Sequence, residues 1–134
     1  ITAFRAMDGE INTFENEHKV DKNSTTYYAG DKLAELGACE NCHFMGKQFP
    51  KQDVATWAPN LAMAKSRLRP DWVIDWLKDP AKIMPGTKMP APFIPTEDLL
   101  SMDGAVNDWG KAVIALSGDQ DEMLNGIRDW LFYI

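Results

Sequence analysis

Apolar side chains recur at helical spacing in several separate stretches of this chain. From about Thr26 to Leu36, the residues Tyr27, Gly30, Leu33, Ala34 and Leu36 share that spacing, which predicts a first helix broken at Gly37. Asn60 is placed to cap a short helix carrying Leu61, Met63, Ala64 and Leu68. Arg69-Pro70-Asp71 opens a stronger helix, because proline is tolerated in a first turn and aspartate favours the positive end. Trp72, Val73, Trp76 and Leu77 form its apolar face, and Pro80 is expected to end it. Gly118-Asp119 caps a final helix on which Met123, Leu124, Ile127, Trp130 and Leu131 share a face. The expected fold class is all-α, with Leu33, Leu61, Trp76, Leu77, Ile127 and Trp130 lining the core.

The intervening segments have their own signatures. Residues 44–59, with Gly46, Pro50, Trp57 and Pro59, lack periodicity and read as a wrapping loop. Between Pro80 and Pro95, prolines 80, 85, 90, 92 and 95 with Gly86 are expected to exclude any regular element, yet the stretch is too apolar for a solvated linker. It predicts a rigid, packed loop. Thr96-Glu97-Asp98 begins a short helix or turn, and Lys111 to Leu116 reads as either a helical turn or a short strand. Residues 1–25 form an acidic arm in this reading, with Ile1, Phe4, Ile11 and Phe14 as isolated anchors, and residues 26–134 form one domain.

Composition narrows the partners. The formal charge is −6, from 20 acidic and 14 basic residues, which argues against nucleic acid or an anionic membrane surface as partner and favours a basic one. No run of 18 or more apolar residues occurs, so no transmembrane segment is expected. The sequence starts at Ile1 without a charged-then-apolar leader, and the expectation is a processed mature protein or a domain of something longer.

The clearest chemistry is Cys39-Glu40-Asn41-Cys42-His43, the C-x-x-C-H pattern of covalent haem attachment. Cysteines at i and i+3 on a helical turn share a face, about 5–6 Å apart at the β-carbons, so two thiols can each take one vinyl group of one porphyrin. The adjacent His43 can then bind the iron through an imidazole nitrogen. A thioredoxin-type redox pair needs a βαβ context that is absent here. A zinc site from Cys39, Cys42, His43 and His18 fails on the adjacency of Cys42 and His43, and a Cys39–Cys42 disulfide would close too small a loop to stabilise much. His18 reads as a solvated surface histidine, with ligation of the iron as its alternative role. Met84 and Met89, on the proline-rich loop, each offer a soft thioether suited to iron opposite a histidine.

With C-x-x-C-H after one helix, Pro59-Asn60-Leu61 after a loop, and Asp79-Pro80 leading to Pro85-Gly86-Thr87-Lys88-Met89-Pro90, the chain from 26 to 134 resembles a class I c-type cytochrome. The resemblance implies one covalently bound haem c wrapped by helices and loops, with His43 and Met89 as axial ligands. It implies that the Pro59 carbonyl accepts the other N–H of His43, fixing the imidazole and raising its basicity. It places Leu61 and Leu77 on the haem faces, Trp76 close to the methionine sulfur, and Gly30 against Trp130 where the first and last helices cross. The arm and the stretch from Phe93 to Ser117 exceed what a minimal member of the family has, and Arg67, Trp57 and Trp72 are the candidates to meet a propionate.

The expected function is therefore electron transfer rather than catalysis, between redox protein partners that the sequence does not name, in the periplasm or an otherwise exported location. Two alternatives stand beside it: an electron-input or output domain, or subunit, of a larger oxidoreductase, and a haem site open to a small ligand.

Overall fold

The computed structural model describes residues 18–134. The expected anchors Ile1, Phe4, Ile11 and Phe14 lie outside the described residues. Helix α1 spans Thr25–Leu36, and the Ser24 hydroxyl caps it by accepting from the Tyr27 amide at 3.0 Å. It is followed by α2 (Ala64–Arg67), α3 (Pro70–Lys78), α4 (Pro80–Ile83), α5 (Glu97–Leu100), α6 (Ala105–Trp109), α7 (Lys111–Ala115) and α8 (Gln120–Tyr133). Among the described residues the only β pairing is two isolated bridges, His43 with Ala58 and Met45 with Gln48, so the all-α expectation holds. Lys111–Ala115 resolves as helix rather than strand.

The frame is the crossing of α1 and α8, the most extensive helix pair in the molecule. Amphipathic faces bring Ala29 and Leu33 against Met123, Leu124, Ile127, Leu131 and Phe132, all buried, each large side chain contributing about 1.5–3 kcal/mol. Two glycines let the backbones approach. A Cβ on Gly30 would lie 1.8 Å from the Gly126 carbonyl oxygen, and one on Gly126 would lie 2.3 Å from that of Thr26. The sequence had pointed to Trp130 as the residue facing Gly30. At the crossing itself the backbones meet glycine to glycine, and Trp130 packs half-buried at the edge of the core. Leu61 and Trp76 are likewise half-buried against this cluster, while Leu77 is buried within it.

Helix α3 lays Val73 and Leu77 on the core and leaves Trp72 at the surface, stacked on Trp76 with ring centroids 5.3 Å apart. Pro80 does not simply end it. The chain pauses at Asp79, whose side chain accepts from the Lys82 amide, and Pro80 starts the one-turn α4, so the proline-rich stretch contains a regular element after all. The same missing N–H that excludes proline from a helix interior is harmless at a first position. Farther on, Gly110 (φ 83°, ψ 159°) separates α6 from α7 in a region open essentially only to glycine, turning α7 so that it packs on α1.

Residues 18–24 lie on the domain. His18, half-buried, donates from Nε2 to Asp129 Oδ1 at 2.6 Å and meets Phe132 edge-on at 5.8 Å. This corrects the reading of His18 as a solvated surface histidine. The buried Asp129 needs donors, and Arg128 supplies two more at 3.0 and 3.1 Å. Thr26 ties α1 to α8 by donating to Glu122 Oε1 at 2.7 Å, and Asn125 donates to the other oxygen. The Thr26 hydroxyl, then Asn125, hold the Glu122 carboxyl below its ordinary value. The stabilisation from a depressed carboxylate is fully present above its unfolded pKa of about 4.3 and disappears as pH falls through the folded value. Glu122→Gln should therefore flatten part of the acid limb in a stability-versus-pH series below about pH 5. An unchanged acid limb would show that the Thr26–Glu122 bond contributes nothing.

Candidate functional site

The chain leaves α1 through Ala38, whose φ of 53° is in the left-handed region that few non-glycine residues adopt. Gly37, the expected break, keeps a right-handed conformation and donates back to the Leu33 carbonyl at 2.8 Å. The reversal at Ala38 launches a 3-10 turn, Cys39–Asn41, in which the Cys39 carbonyl accepts from the amides of Cys42 (3.3 Å) and His43 (3.0 Å). One tight turn thus carries both thiols and the imidazole. Cys39 and Cys42 are unbridged and partly exposed. Burial pushes the Cys39 thiol up, opposite to the depression that activates a redox nucleophile.

His43 is oriented from outside the turn. Its Nδ1 lies 2.6 Å from the Pro59 carbonyl oxygen. A carbonyl can only accept, so Nδ1 carries the proton and Nε2 keeps its lone pair for another partner. The Pro59 contact expected from the resemblance is present in the folded chain.

Several bonds set the position of Pro59. The Ala58 amide donates to the Cys42 carbonyl at 2.8 Å, and the Leu61 amide donates to the Phe44 carbonyl at 2.9 Å, so residues 58–61 run alongside 42–44. Asn60 binds Gly46 in both directions, accepting from its amide and donating to its carbonyl at 2.9 Å each, while also capping the turn at Leu61 by accepting from Ala62. The wrapping loop expected over residues 44–59 is thus fixed by its own hydrogen bonds. Lys51 and Gln52 donate backbone bonds to Glu40 and Asn41, the Lys51 ammonium pairs with the Glu40 carboxylate, and Phe44, Phe49 and Trp57 pack edge to face. The Trp57 indole donates to the Gln52 carbonyl at 3.0 Å.

The proline-rich loop carries Met89, the methionine that the resemblance implies as a ligand. Met89 is half-buried against the core, and its Sδ accepts from Trp76 Nε1 at 3.0 Å. The Thr87 hydroxyl accepts the Met89 amide at 3.3 Å. Sequence placed Trp76 near this sulfur, but that the indole donates to it was not legible. Met84 points elsewhere with 57% of its surface exposed, and Met63 is exposed at 44%. Leu61, Trp76 and Met89 pack against the cluster that contains Leu77.

The donor set is selective. Among the described residues no three His, Cys, Asp or Glu side chains gather to hold a metal ion, and His18 Nε2 is engaged by Asp129. An imidazole whose Nδ1 donates to a carbonyl and whose Nε2 is left available, a thioether held by an indole and two unbridged thiols remain, soft donors of the kind that iron takes rather than those of a hard cation. No protein-family model, no curated protein and no solved structure matches the chain.

Proposed function

We propose that this protein is a mono-haem c-type electron carrier of the class I kind, with a haem held by thioethers to Cys39 and Cys42 and by axial His43 and Met89. The observation that carries the reading is the C-x-x-C-H turn whose histidine donates Nδ1–H to Pro59 and keeps Nε2 available. Bound there, held by Cys39, Cys42, His43 and Met89, the haem would supply one-electron redox chemistry.

The chain's own residues do the remaining work. Pro59 locks the imidazole tautomer and raises its basicity. Trp76 points a neutral donor at Met89 Sδ, drawing electron density from the thioether, while Thr87 steadies the Met89 backbone. Leu61, Trp76 and Leu77 supply the apolar wall that keeps water from this edge of the core. No described helix is long and apolar enough to cross a membrane. Attachment of haem c belongs to exported compartments in the family it resembles, so a periplasmic or otherwise exported location goes with this reading. The alternative, a domain or subunit of a larger redox assembly, is favoured by the three extra helices between Phe93 and Ser117.

The test is covalency. Protein purified from a host that matures c-type haem should keep its colour on the polypeptide after acid–acetone extraction, because thioethers survive where coordination bonds do not. A colourless polypeptide would refute the proposal.

A further inference from the structure

Between Lys88 and Lys111 the sequence holds Glu97, Asp98, Asp103 and Asp108 and no Lys, Arg or His. This is the stretch that builds α5 and α6, and it turns Ile94, Pro95, Leu100, Ala105 and the inner side of Trp109 inward. Its outer side is apolar. Phe93 is 61% exposed yet stacks on Trp109 with centroids 5.9 Å apart. Val106, 47% exposed, lies three residues before Trp109 and so on the same helix face. Met102, 62% exposed, sits in the turn that leads into α6, its carbonyl accepting from Ala105 at 3.1 Å.

Single exposed apolar residues are ordinary, but a contiguous group of them marks an interaction site. The residue types matter as well, since Trp, Phe and Met are enriched at protein interfaces. Asp98, Asp103 and Asp108 are all exposed, and none enters an ion pair among the described residues. The surface therefore has an apolar centre with unpaired carboxylates beside it, and cations only at its Gly110 end, where Lys32 is paired with Glu35 and Lys111 follows. Another exposed aromatic pair, Phe49 with Trp57, differs in both respects: Lys47, Lys51 and Asp53 share its loop, Lys51 pairs with Glu40, and the loop orients His43.

We infer that the Phe93–Val106–Trp109 face is a docking surface for a basic protein, one that presents an apolar centre surrounded by Lys and Arg. Charge decides among occupants. A second copy of this chain would bring the same acidic rim against itself, and an anionic membrane would repel it, whereas a basic rim is steered in and held in register. Trp109, backed by the core and flanked by Phe93, is the anchor that such a partner would cover. The inference stands on the surface alone. If the electron-carrier reading also holds, Phe93 lies four residues after Met89, at most about 14 Å of chain, so the docked partner would sit close to the redox site.

The probe is a synthetic amphipathic peptide with Leu and Phe on one face and Lys on both flanks, compared with a scrambled peptide of the same composition. Each is titrated into the uniformly labelled, as-isolated full chain, and the backbone amide shifts are followed. The amides of residues 93–109 should move and saturate with the amphipathic peptide, with binding weakened about tenfold or more between low and physiological salt. Phe93→Ser with Val106→Ser should weaken it about tenfold, and Asp98→Asn, Asp103→Asn, Asp108→Asn should both weaken it and flatten the salt dependence. The carboxylate variant changes only exposed side chains, so it decides the matter even if the apolar variant fails to fold. Equal binding of the scrambled peptide, shifts centred on Phe49 and Trp57, unaltered binding by the carboxylate variant, concentration-dependent self-association through this face, or no saturable shift would each overturn the inference.

Discussion

Gly30→Ala should unfold this protein or bring it to the margin of stability. In an exposed helix interior the same change gains about 1 kcal/mol, since alanine is the better helix former. Here the added methyl would sit 1.8 Å from the Gly126 carbonyl oxygen and 2.6 Å from the Ile127 amide nitrogen, and both of these are backbone. No rotamer change relieves such a contact. The two helices must separate, opening the layer that holds Leu33, Met123 and Ile127, which are the largest fully buried side chains in the core along with Val73, Val113 and Pro95. Overpacking of cores costs about 1–3 kcal/mol where side chains can adjust, and a backbone-to-backbone clash belongs at or above the top of that range. Against a total stability of about 5–15 kcal/mol that is a large fraction. Denaturant unfolding of the purified variant measures it directly. A loss below about 0.5 kcal/mol would mean the crossing is looser than its geometry indicates.

The second large effect is at the proline-rich loop, and it tests the ligand assignment. Met89→Ala should abolish the far-red sulfur-to-iron absorption of the oxidised protein and let cyanide or carbon monoxide bind, whereas Met84→Ala should leave that band in place. The two methionines are five residues apart, too far for both to reach one iron from a turn-rich loop. Stiffening prolines at 85 and 90 favour Met89, and the folded chain adds a physical reason: its sulfur is half-buried and accepts from Trp76, while Met84 faces solvent. A sulfur already held in place loses less freedom on coordination than one that must be drawn in from the surface. If Met84→Ala removed the band and Met89→Ala kept it, the loop would be in a different register from the one described. A wild-type protein without the band would point to a sixth ligand other than methionine. His18, the runner-up on sequence grounds, would first have to give up its bond to Asp129.

Much of this protein is determined by the sequence alone, and what it determines is local. Asn60 and Asp119 are legible as caps because a capping bond joins residues two or three apart, and both accept the amides that rule requires. The apolar faces of α1, α3 and α8 are legible because helical periodicity is a property of one segment. The C-x-x-C-H pattern is contiguous, so its chemistry is visible before any folding. Pro80 shows where this begins to fail: a proline forbids continuation of the preceding helix but does not forbid starting another, and only the course of the chain decides which it does.

What tertiary structure alone decided joins residues far apart in sequence. Gly30 meets Gly126 backbone to backbone, because the depth at which two helices cross depends on every side chain between them. His18 is turned from surface to partner by Asp129, whose burial no pattern within α8 announces. Asn60 clasps Gly46 across 14 residues and so brings the Pro59 carbonyl to His43. The donation from Trp76 to Met89 depends on the direction of one N–H bond, which is set only once α3 and the loop are docked on the same edge of the core. Sequence names the groups that can do the chemistry; the packing of distant segments sets their orientation, since a hydrogen bond is lost within a few tenths of an ångström and a few tens of degrees.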